Sequence, residues 1–146
     1  MPVALLLAAL GCAPGAGGGE RPGAPSQAPA AGRAEAERFI GAPLPADAEE
    51  LRIANESGID DAYYIGFAAP PDSVTAFVRD LGLPAPKPGV NPFPAALDPG
   101  LDWWAPADAG QFQGGSHLAG NGKSYEILVD TGAAERWQVF LRVFSL

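Results

Sequence analysis

Residues 13–34 most strongly limit how this chain can fold, because they consist almost entirely of Gly, Ala and Pro. Such a segment has no large apolar side chain to bury, so nothing offsets the entropy that is lost when its backbone becomes ordered. We therefore predict a disordered, semi-flexible tether over residues 12–34. Folding is left to residues 35–146, a length that suits a single domain with one small core.

An apolar run occupies residues 1–12, which read MPVALLLAALGC and end at Cys12, the one cysteine of the chain. The run is too short to cross a bilayer, which takes about 20 apolar residues. It has the length of a signal-peptide core, roughly 7–15 residues. With Ala9, Leu10 and Gly11 before Cys12, the segment resembles the signal peptide and lipobox of bacterial lipoproteins.

This resemblance implies a signal peptide over residues 1–11 that is cut before Cys12, and a lipid attached to Cys12. It places the protein in the bacterial cell envelope with a lipid anchor. Because Ala13 rather than aspartate follows the cysteine, the resemblance also implies the outer membrane, with the protein facing the periplasm. An ordinary secretory signal and a cytosolic chain are the alternatives.

The first part of the folded region predicts a short helix and a β-hairpin. The helix is expected over residues 33–40 and is ended by Gly41. Residues 51–54 alternate between apolar and polar side chains, and Tyr63, Ile65 and Phe67 recur with a period of two, as in half-buried strands. A turn at Ser57-Gly58 joins the two strands.

The clearest helix follows Pro70-Pro71. Its apolar side chains recur at the spacing of one helix face, and they are Val74, Phe77, Val78 and Leu81. Such a stripe packs against a sheet. Proline suits the first turn, and Gly82 lies where a C-terminal cap belongs.

Residues 83–146 predict a proline-rich loop that is followed by a β-rich segment. Prolines over residues 83–99 exclude helix and central strand, so this segment is expected to wrap the domain as an extended loop. Residues 123–130 and 137–143 alternate as strands, and Asn121-Gly122 is a strong hairpin turn. We therefore predict an α+β fold: a small antiparallel sheet of about five strands, packed on one main helix.

The pair Trp103-Trp104 is the candidate binding feature. If it lies in a strand, the two side chains point to opposite faces, so one ring is buried and the other is available to a sugar or an apolar group of a partner. In the alternative, both rings cap the core beneath the proline-rich loop.

No residue pattern predicts a catalytic or metal site. The single histidine, His117, belongs to no nucleophile motif, and we interpret it as a surface residue. Gly122-Lys123-Ser124 lacks the glycine spacing of a phosphate-binding loop, and the aspartate-rich loops lack the spacing of a calcium loop. We predict no cofactor and no enzyme activity. A carboxylate enzyme that uses Asp60 and Asp61 is one alternative.

The charge of the chain bears on its partners. With 17 acidic and 9 basic side chains, the formal net charge is −8. This balance argues against nucleic acid, which needs a basic face. We predict a non-catalytic binding domain, whose partners are the membrane, through the anchor, and a protein of the envelope. An immunity or inhibitor-type lipoprotein, with its acidic face on a basic envelope enzyme, is the other alternative.

Overall fold

A computed structural model describes residues 31–146, so the predicted signal peptide, Cys12 and most of the predicted tether lie outside the described residues. Helix α1 (Ala31–Ile40) confirms the helix expected before Gly41, although it begins within the predicted tether. Gly41 ends the helix with a φ of +82°. Strand residues hold the last turn: Lys123 Nζ donates to the carbonyl oxygen of Phe39, and the Tyr125 hydroxyl donates to that of Ile40.

Six antiparallel strands form one sheet, in the order β1-β2-β6-β5-β4-β3. The strands are β1 (Glu49–Glu56), β2 (Ala62–Ala69), β3 (Lys87–Pro88), β4 (Phe112–Leu118), β5 (Lys123–Asp130) and β6 (Trp137–Ser145). The predicted hairpin of β1 and β2 is present, and the turn that contains Asn121-Gly122 joins β4 to β5. Strand β6 lies between β2 and β5, and thereby ties the two halves of the domain together.

Helix α2 (Pro71–Asp80) is the predicted main helix. It starts with a proline, buries Val74, Phe77 and Val78, and is followed by Gly82 with a φ of +72°. The prediction of an α+β fold with an antiparallel sheet is confirmed. Its counts differ from those observed, because the described residues contain six strands rather than about five, and two ten-residue α-helices rather than one main helix.

The two helices cover one face of the sheet. Alternate residues of the central strands point to this face and form the larger core together with Ile40 of α1 and Phe77 of α2. The fully buried strand side chains here include Ile65, Phe67, Ile127, Val139, Leu141 and Val143. We call this face the helix side.

A loop covers part of the opposite face, which we call the loop side. Residues 89–111 contain only a short 3-10 helix (Pro106–Asp108). Their apolar side chains pack on the alternate residues of β2, β5 and β6 and form a second core. Within the predicted extended loop over residues 83–99, only Lys87 and Pro88 pair as a strand, at the edge of the sheet. That position suits proline, which cannot donate to a central ladder.

Candidate functional site

Trp104 lies in the second core. Its side chain is 9% exposed. The ring makes edge-to-face contacts with Tyr64, Phe93 and Phe140, with ring centroids 5.2, 5.0 and 5.6 Å away. This geometry is the one that aromatic rings prefer in a packed core. Trp104 therefore fastens the loop to the sheet.

Trp103 is half-buried and lies on the same side of the sheet as Trp104, because the pair is in a turn and not in a strand. Its ring lies over Gly66 of β2, where an added Cβ would be 2.9 Å from Trp103 Cζ3. The arrangement corresponds to the alternative in which both rings cap the core. A role of Trp103 and Trp104 in ligand binding stays a prediction.

The other residues singled out from the sequence lie apart from the tryptophans. Asp60 and Asp61 are exposed in the loop between β1 and β2. His117 lies on β4, directly opposite Tyr125 of β5, which places it on the helix side of the sheet. It is half-buried rather than fully at the surface. The structure does not bring these three residues together.

A groove runs along the helix side between α2 and the β4 edge of the sheet. It consists of two adjoining cavities of 340 and 460 Å³, which share Leu83 and Ala85 as walls. We call it the α2 groove. Its volume is within the usual range of ligand sites, roughly 300–1,000 Å³.

The floor of the α2 groove is apolar and its rim is polar. The floor is formed by buried side chains of α2 and β5, which are Val74, Val78, Ile127 and Val129, and the half-buried Leu83 of the segment after α2 adds to it. Gly115 of β4 faces the groove without filling it, since an added Cβ would have no heavy atom within 4 Å. An apolar floor with a few polar rim groups is the usual composition of a small-molecule site.

The charges at the rim are positive. Arg79, Lys87 and His117 line the groove, whereas no aspartate or glutamate does. Neither Arg79 nor Lys87 forms an ion pair with a residue that the structure describes. A groove lined only by basic ionisable side chains stands out in a chain with a net charge of −8.

A second cavity has the opposite charge. It measures 330 Å³, lies beside α1 and the β1–β2 loop, and is lined by Glu35, Glu56 and Asp61 together with Arg38 and Tyr63. Burial raises the pKa of Tyr63 to about 12, and the Glu35 and Asp61 carboxylates act in the same direction. Its hydroxyl therefore stays protonated at neutral pH and can donate a hydrogen bond, but it is not a base.

An ion pair lies on the loop side of the sheet, between β5 and β6. Arg142 Nη1 of β6 donates to Glu126 Oε2 of β5 at 2.9 Å, and the two side chains are only 19% and 12% exposed. The guanidinium also stacks on the Phe144 ring at 4.2 Å. Glu126 and Arg142 pair with each other within the sheet and line none of the cavities named above, so we assign the pair to the fold.

Comparison with known proteins adds no relative: neither a protein family, nor a curated protein, nor a solved structure matches the chain. Residues 31–146 contain no group of three or more His, Cys, Asp and Glu side chains arranged to hold a metal ion. No helix in that range is long and apolar enough to cross a membrane.

Sequence reasoning missed the α2 groove and the strand that forms its edge. Strand β4 contains Gly114, Gly115, Ser116 and His117 and so lacks an apolar alternation. The sequence signal that could have indicated the groove is the pair Gly114-Gly115, because a glycine inside a strand often marks a close approach of the backbone or an open space beside it. Both occur here: a Cβ at Gly114 would collide with the carbonyl oxygen of Val90, whereas Gly115 leaves room for the groove.

Proposed function

We propose that the chain is a lipid-anchored protein of the bacterial cell envelope, whose folded domain binds a ligand without catalysis. The anchor is Cys12, in the outer membrane and facing the periplasm. The observation that carries the binding function is the α2 groove, because it combines an apolar floor with an unpaired basic rim. The proposed site differs from the Trp103-Trp104 pair, which is on the other face of the sheet.

The anchor predicts covalent lipid on Cys12. The full chain is produced in a bacterium with two membranes that is fed an alkyne-labelled fatty acid. We expect label on the wild-type chain, whose mass shows loss of residues 1–11, and none on Cys12→Ser. Equal labelling of the two chains would place the lipid elsewhere than on Cys12. An unlabelled wild-type chain that still enters the periplasm would replace the anchor with an ordinary secretory signal.

If a ligand occupies the α2 groove in the cell, a crosslinker placed on the groove rim should form a covalent adduct with that ligand. A photo-crosslinking residue, p-benzoylphenylalanine, is placed at the exposed Thr75 on the groove rim. We expect an adduct by mass spectrometry, and its loss when the groove is filled by Gly115→Leu. The Cβ of the new side chain meets no heavy atom within 4 Å, and the change replaces a strand glycine, so the fold is expected to tolerate it.

Two controls make the result specific. Gly110→Leu adds the same side chain at an exposed glycine that also has open space around it and does not line the groove. It should leave the adduct unchanged. The same crosslinker at Arg52, on β1 at the far edge of the sheet, should give no such adduct. An adduct that survives Gly115→Leu would show that the groove is not the binding site.

A further inference from the structure

We infer that the ligand of the α2 groove is a long-chain fatty acid, with its acyl chain on the apolar floor and its carboxylate at the basic rim, to which Arg79 contributes at one cavity and Lys87 at the other. This inference rests on the proposed binding function and names the chemistry of the ligand. Three observations carry it: the composition of the floor, the cations that have no acidic partner among the described residues, and the shortness of the open strand edge beside the groove.

The floor suits an unbranched apolar chain. Two adjoining cavities extend from Val129 and Trp137, beneath α2, to Ile127 and Gly115, beside β4. The apolar groups of the interior are aliphatic apart from Trp137. The polar side chains of Gln113 and His117 on β4 are half-buried at one wall, and Thr75 and Ser116 are exposed at the rim. An acyl chain needs only apolar contact, which such a floor supplies along its length.

The rim selects an anion. Arg79 and Lys87 are exposed and have no acidic partner among the described residues, and no carboxylate lines either cavity. Two other cavities in the described part of the chain contain Glu35, Glu56 and Asp61 beside Arg38 in one case, and Asp47 and Asp80 in the other. An anionic ligand is repelled there and attracted here. The guanidinium of arginine presents a pair of donors that matches a carboxylate.

The strand edge beside the groove argues against an extended peptide. Strand addition needs a row of free backbone groups, but β3 pairs with β4 at Gln113 and Gly114, and Gly89 donates to the carbonyl oxygen of Phe112. Only the stretch from Gly115 to Leu118 is left open. This open stretch of four residues is short, so a peptide added there would gain few backbone hydrogen bonds.

Binding of palmitate to the full chain tests the inference. All proteins carry Cys12→Ser, so that none bears its own lipid, and residues 1–30 are identical throughout. Radiolabelled palmitate, below its micelle concentration and without detergent, is measured by equilibrium dialysis. We expect one saturable site, with an affinity at least tenfold lower in Gly115→Leu and unchanged in Gly110→Leu.

Charge reversal tests the carboxylate contact. The double variant Arg79→Glu/Lys87→Glu should bind palmitate roughly three- to tenfold more weakly, since exposed ion pairs are individually modest. Arg52→Glu, which reverses an exposed cation on the far edge strand, should bind as the parent chain does. Hexadecanol, which has the same chain without the charge, should bind both charge variants alike.

Two results would overturn the inference: no saturable palmitate binding, or weakening of hexadecanol and palmitate by the same factor. If the adduct at position 75 still depends on Gly115, the proposed binding function stands and only the fatty acid is wrong. An adduct that contains a polypeptide would identify a protein ligand. If the chain with its groove intact gave neither an adduct at position 75 nor saturable palmitate binding, the proposed function would be contradicted as well.

Discussion

Replacing Trp104 with Ala is expected to lower the free energy of unfolding by about 3–5 kcal/mol, the usual cost of deleting a large buried aromatic side chain. The ring contacts three aromatic neighbours from β2, β6 and the loop. Without it, the loop loses its main contact with the sheet and a cavity opens beneath residues 89–111. Urea unfolding of the full chain with Cys12→Ser, followed by circular dichroism, measures the effect.

Trp103→Ala is the matched control, because Trp103 is the adjacent residue and only half-buried. We expect it to cost about 1–2 kcal/mol, within the ordinary range for point mutations. If Trp104→Ala changed the unfolding free energy by no more than Trp103→Ala, the second core would not depend on this ring. A binding role for the exposed part of the pair would then become the better account.

The second large effect is expected at the Glu126–Arg142 pair. Glu126→Met should cost about 2–3 kcal/mol, because it leaves the Arg142 charge without a partner in a site that is mostly shielded from water. The cost is below that of a fully buried pair because Arg142 keeps 19% of its side chain exposed. Its Nε atom is already buried without a hydrogen-bond partner, so the lost contact to Glu126 is not replaced within the sheet.

A double-mutant cycle separates the pair from its surroundings. The double variant Glu126→Met/Arg142→Met should be more stable than Glu126→Met alone, because it leaves no uncompensated charge between β5 and β6. The measurement is again the free energy of unfolding in urea. If the costs of the two single changes simply added, the side chains would not be coupled, and their 2.9 Å contact would contribute nothing to the fold.

Local patterns predicted the elements better than their arrangement. Strand β2 was recognised from Tyr63, Ile65 and Phe67, but its other residues are also mostly buried: only Ala68 is partly exposed. A strand that is apolar on both sides indicates that both faces of the sheet are covered. The apolar pattern of β2 therefore indicates a covering layer on the loop side, but it does not identify residues 89–111 as that layer.

The order of the strands could not be predicted from local sequence patterns. The position of β6 between β2 and β5 depends on burying side chains on both faces of the sheet at once, and no local pattern specifies this. Glu126 and Arg142 each occupy a polar position in an apolar strand, and their opposite charges become informative only when the strands are known to be neighbours. The α2 groove is likewise a product of packing, since its walls come from α2, the segment after it and strands β4, β5 and β6.

The contacts that hold the last turn of α1 have a mechanical consequence if Cys12 is anchored in a membrane. Tension between the membrane and the domain then enters at α1. It passes through the carbonyl oxygens of Phe39 and Ile40 to Lys123 and Tyr125. These residues begin β5, which is paired on both sides, so the load is shared by the interior of the sheet and not by an edge. The α2 groove takes Ile127 and Val129 of its floor from this same strand, so a pull on the anchor reaches the floor of the groove, whereas its α2 wall lies off the path.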